Sequence, residues 1–107
     1  MTTQEVGMAI VAAPLDSAEA IARTIVEQKL AACAQITSPV TSLYWWKGKV
    51  EEGPERLILL KTERSRIPRI RDLLRTVHPY EVPELIFLAV TAGSDAYLAW
   101  LSEVMSV

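Results

Sequence analysis

Few side chains in this 107-residue sequence are suited to chemistry. It holds one histidine, His78, and one cysteine, Cys33, whose imidazole and thiolate would suit copper(II) or another late divalent metal. The two stand far apart, with no paired-cysteine motif and no second histidine at helical spacing, so a closed zinc site within one chain is not expected. The carboxylates Glu51, Glu52, Glu55, Glu81 and Glu84 fall in two short stretches. Gathered about a threefold axis, they or three copies of His78 would make a weak divalent-metal site. The competing reading of His78 is a residue at a helix C-terminus packed beside Pro79, and that of Cys33 is a small core side chain.

Tyr44, Trp45 and Trp46 are consecutive, and the period of a strand puts Tyr44 and Trp46 on one face and Trp45 on the other. Such a face can line a pocket, but aromatic side chains also anchor subunit interfaces. Arg64, Arg66, Arg69, Arg71 and Arg75 form a basic stretch without interleaved aromatic residues, which reads as a solvated helix face. With a net charge of −2, the chain has no general attraction to nucleic acid or an anionic membrane. No nucleophile with its base and no glycine-rich phosphate loop is visible, so neither catalysis nor an organic cofactor is expected.

The elements that must position these groups follow from periodicity. Glu5 to Ala13 reads as a buried strand ended by Pro14. Asp16 and Glu19 suggest a capping box for an amphipathic helix carrying Ala18, Ile21, Ala22, Ile25 and Val26 as far as Leu30. Ala32 to Ile36 is a second strand, interrupted at Pro39. Thr41–Trp46 and Lys49–Glu51 form a hairpin across Lys47-Gly48. Gly53-Pro54 is predicted to turn, after which Leu57 to Leu60 reads as a strand covered on both faces. Ser65 is the expected cap of a second helix with Pro68 in its first turn and Ile67, Ile70, Leu74 and Val77 inward. Leu85 to Val90 is a further strand, and Ser94 or Asp95 opens a terminal helix.

This order is β-α-β-β-α-β plus a helix, the split βαβ or ferredoxin-like α+β arrangement: two helices on one face of an antiparallel sheet, within one domain, 1–107. The other face would stay bare, although half of all residues are apolar and strands such as Leu57–Leu60 carry apolar side chains both ways. Neighbouring subunits are the expected cover. A lone thiol, a start without the basic segment of a signal peptide and the lack of a long uncharged apolar run lead us to expect a cytoplasmic protein.

Five segments carry a resemblance: 29–34 (KLAACA), 41–49 (TSLYWWKGK), 60–62 (LKT), 78–84 (HPYEVPE) and 97–101 (YLAWL). On them the chain resembles the CutA divalent-cation-tolerance family. The resemblance implies a homotrimer similar to the PII signalling proteins, with long hairpins pairing across subunits and a role in the response to metal ions. It implies a ligand site in a cleft between subunits, onto which Tyr44, Trp46, Lys61, Tyr80 and Glu84 carry over, with His78 as the candidate metal ligand and Cys33 a weaker one. Ala13 and Val77 stand where some members have a cysteine and a second histidine. The implied function is divalent-cation tolerance, with copper or another divalent metal bound at the clefts. The alternative is a PII-like signalling or structural trimer that binds a small effector or a partner protein.

Overall fold

The computed structural model describes residues 5–106. The order is β1 (Val6–Ala13), α1 (Ala18–Glu27), β2 (Cys33–Ile36), β3 (Val40–Trp46), β4 (Lys49–Glu63), α2 (Ile67–Val77), β5 (Ile86–Ala89) and α3 (Asp95–Met105). The sheet runs β2-β4-β1-β5, and β3 pairs with the outer part of β4. Every pairing is antiparallel. This is the expected ferredoxin-like α+β architecture.

Alternation along the strands sorts the sheet into two faces. Ala9, Val11 and Ala13 on β1 and Ile58 and Leu60 on β4 are buried against Ile21, Ala22 and Ile25 of α1 and Ile70 and Leu74 of α2. Their neighbours Met8, Ile10, Leu57 and Leu59 face the other way and are only half-buried. On the same open face Ile86 and Leu88 remain 48% and 49% exposed. A stretch with so much uncovered apolar area is what a subunit interface requires.

Val77, expected inward at the end of α2, is 37% exposed, and three further local expectations fail, each for a backbone reason. No turn forms at Gly53-Pro54: β4 runs unbroken from Lys49 to Glu63, with Gly53 opposite Ser42 and Pro54 opposite Thr41. Proline is tolerated on a strand edge, and among the described residues Lys49–Glu55 pairs on one side only. The N-cap of α1 is Ser17 rather than Asp16, and its hydroxyl caps nothing. Pro14 instead accepts the N–H groups of Ser17 and Ala18 at 3.2 Å, and Glu19 pairs with Arg23 one turn on. Ser65 does not cap α2 either, because a 3₁₀ turn over Arg64–Arg66 leads straight into the helix and leaves no extended residue at the cap position.

Other sequence signals hold. Lys47 and Gly48 both adopt positive φ, 50° and 83°, the pairing that a type I′ hairpin turn needs. Lys29, at φ 58°, closes α1 in the left-handed conformation, with the Leu30 N–H reaching back to the Ile25 carbonyl. Of the arginines in the α2 region, Arg64, Arg69, Arg71 and Arg75 are solvated, with Arg64 paired to Glu5 at 2.6 Å and Arg71 and Arg75 sharing Asp72, whereas Arg66 is half-buried and donates to the Met105 carbonyl.

Candidate ligand cleft

Two elements meet to make a cleft. The first is the β3–β4 hairpin, where Ser42, Tyr44 and Trp46 share a face with Glu55 and Leu57. The second is the segment after α2. A residue before proline is driven out of helical conformation, and His78 accordingly ends α2 with φ −92° and ψ 134°. The chain then swings back across the sheet end, bringing Tyr80 and Glu84 against the hairpin. The resulting cleft, about 700 Å³, is bounded by Tyr44, Trp46, Glu55, Tyr80 and Glu84, with Ala12 at its base.

His78 is the pin of this swing. It is 7% exposed, and its Nδ1 accepts the Tyr80 N–H at 3.1 Å, which leaves the ring proton on Nε2 to donate to the Ala12 carbonyl at 2.8 Å. Its ring also lies 4.7 Å from that of Tyr80. A metal at His78 would have to displace one of these two hydrogen bonds.

Inside the cleft the Tyr80 hydroxyl donates to Glu55 Oε2 at 2.7 Å, and Glu55 is 8% exposed. Burial, then the hydrogen bond and charge of Glu55, push the Tyr80 hydroxyl far above the usual phenol range. Glu84 is exposed as a residue, yet desolvation of its carboxyl group, followed by the nearby Glu55 charge, raises its pKa above the ordinary value.

Of the residues expected to share a site, Tyr44, Trp46, Tyr80 and Glu84 come together. Lys61 does not join them: it lies farther along the open face of β4 and donates to the Gln35 side-chain oxygen. Cys33 sits opposite Lys61, four β4 positions beyond the Leu57 that faces Ala12, so it is offset from the cleft base by roughly 13 Å along the strands, with β4 between them. It is half-buried rather than a core residue, and its thiol contacts the Tyr97 hydroxyl, which desolvation and that contact push upward. Glu55 is the residue that sequence reasoning undervalued, as one carboxylate among several for a threefold ring. An uninterrupted alternation through Gly53-Pro54 would have placed it on the face of Leu57 and Leu59.

The family model described as CutA1 divalent ion tolerance protein matches residues 7–104. The chain belongs to the CutA1 divalent ion tolerance family. Protein CutA of Homo sapiens is 48% identical over 87 residues, covering 81% of this chain and 49% of that protein. The divalent-cation tolerance protein CutA of Thermus thermophilus is 42% identical over 86 residues, 80% of this chain and 84% of the relative. The chain spans about half the length of several curated relatives, the human and bovine proteins among them. Among solved CutA1 structures, that from Thermus thermophilus superposes with a TM-score of 0.89 at 36% identity, over 94% of this chain and 99% of the other. That from the psychrotrophic Shewanella sp. SIB1 also gives 0.89, at 34% identity over 99% and 100%.

The family's name points to a divalent metal, so the donors of the chain matter. Among the described residues no three His, Cys, Asp or Glu side chains converge as a metal site. His78 has both nitrogens engaged, Cys33 is remote, and one Glu55 oxygen is taken by Tyr80. The donors among the described residues of this chain therefore do not by themselves fit a resident ion.

Proposed function

We propose that this CutA1-family chain serves divalent-cation tolerance as a homotrimer, with the cleft of Tyr44, Trp46, Glu55, Tyr80 and Glu84 as a recognition site and no catalysed reaction. One observation carries the reading: the cleft is continuous with the open sheet face, since Ser42, Tyr44 and Trp46 share that face with Leu57, Leu59 and Lys61. Subunits that cover this apolar face would also wall the cleft, and Lys61 would reach it from a neighbouring copy. Copper or another divalent ion would then need Glu84 and donors from more than one subunit. A half-buried free thiol at Cys33 is best kept in a reducing compartment, which supports a cytoplasmic location.

A second reading, a PII-like trimer whose clefts bind a small effector, is favoured by the size and the aromatic walls of the cleft. Calorimetric titration with copper(II) and zinc(II) separates the two. A divalent-ion site at the subunit boundary predicts saturable heats that Glu84→Gln removes and His78→Ala leaves, provided the His78 variant stays folded. Loss of binding in His78→Ala alone would make His78 the ligand only where that variant keeps the Tyr80–Glu84 loop in place. Heats no larger than those of exposed carboxylates would leave the effector reading.

A further inference from the structure

The chemistry of the cleft wall narrows what it can hold. Aromatic faces make up much of it: Tyr44, Trp46 and Tyr80 are 48%, 36% and 37% exposed and turn toward the same space. The charged side chains that this chain gives to the wall, among the described residues, are all carboxylates, Glu55, Glu81 and Glu84. The nearest cationic candidate by resemblance, Lys61, is tied to Gln35 outside the cleft. Within one chain an anionic effector would meet three carboxylates against the Lys47 ammonium at Trp46. Among the described residues of one chain a bare divalent ion would find no three converging donors.

We propose that the cleft receives a small alkylammonium ion, its methylene or methyl groups against the rings of Tyr44, Trp46 and Tyr80, with Glu84 and Glu55 as counter-charge. The proposal rests on the reading of the cleft as the ligand site and adds the ligand class. Aromatic faces attract a cation through their quadrupole, and the attraction strengthens once water is excluded. Within the chain the Lys47 ammonium lies 5.7 Å over the Trp46 ring, a geometry of the same kind. The volume, about 700 Å³, is that of a small-molecule site and far exceeds a single hydrated ion. Desolvation and the Glu55 charge raise the pKa of Glu84, and a bound cation would oppose that shift, so binding should tighten as pH rises through the raised pKa.

The test uses the full chain in its native assembly and follows tryptophan fluorescence and calorimetry with choline, its neutral isostere 3,3-dimethylbutanol, inorganic phosphate and zinc(II). Saturable choline binding, about tenfold or more tighter than the isostere, is expected. Glu84→Gln should weaken it several-fold and abolish its pH dependence, and Trp46→Leu should weaken it at every pH, while Glu27→Gln, on α1, leaves it unchanged. Equal affinity for the isostere, or preference for phosphate, overturns the ligand class but leaves the cleft a binding site. If no probe, zinc(II) included, perturbs the fluorescence at millimolar concentration, both the class and the cleft assignment fall.

Discussion

His78 and Glu63 are two buried ionisable residues whose roles differ. His78 links α2 to β1 through Ala12 and shapes the following loop through Tyr80. Replacing it by alanine leaves a buried carbonyl and an N–H without partners, at a cost of about 1–3 kcal/mol each where water cannot enter. Urea denaturation of His78→Ala should therefore show a midpoint well below that of the parent, and an unchanged midpoint would remove the pin from the account. Glu63, 5% exposed at the end of β4, has its pKa raised by burial above the ordinary 4.5, with the Arg66 charge opposing in part. Its folded state holds a proton more tightly than the unfolded chain does. Stability thus falls as pH climbs from the ordinary value through the raised one, then levels off. Glu63→Gln should flatten that fall, read as unfolding free energy against pH; parallel curves for variant and parent would refute it. At this scale the sequence reveals His78 as a helix-terminal residue but not Glu63 or Glu55, because burial of a lone carboxylate depends on the partner strand.

The elements show where local signals suffice and where they do not. The Lys47-Gly48 hairpin, the Pro68 start of α2 and the Ser94 cap of α3 are readable because each depends on a few adjacent residues. The cap of α1 and the run through Gly53-Pro54 are not. Pairing of β3 along the whole outer half of β4 overrides the turn propensity of that dipeptide. Gly7 carries a constraint of the same non-local kind. A Cβ there would lie 2.3 Å from the Leu88 carbonyl oxygen and 2.6 Å from the Phe87 ring, so β1 and β5 could not keep their spacing. Gly7→Ala should cost on the order of 2 kcal/mol or more, the range of overpacked core substitutions, and should raise amide exchange in β5 before β2. Equal protection in both strands of the variant would argue against a local clash.

For the whole molecule, the question is what covers the open face. One half of the sheet is sealed by α1 and α2, and its core needs no other chain. The other half leaves Ile86 and Leu88 half exposed beside Met8 and Ile10, an arrangement predicted from the apolar surplus of the sequence. Burying such a side chain is worth about 1.5–3 kcal/mol, so several per subunit, repeated around a threefold axis, are enough to hold an oligomer. Leu88→Lys isolates this contribution. The side chain is 49% exposed within the chain, so a lysine there can reach solvent without disturbing the sealed core. In a trimer the same ammonium would be forced against a neighbour's apolar face. Sedimentation velocity should show the variant shifted to lighter species at concentrations where the parent stays associated, with helix content by circular dichroism preserved. Because the cleft borders that face, dissociation should also weaken ligand binding without any change to a cleft residue. A Leu88→Lys protein that sediments like its parent would mean that the open face is covered by something other than a second copy of this chain.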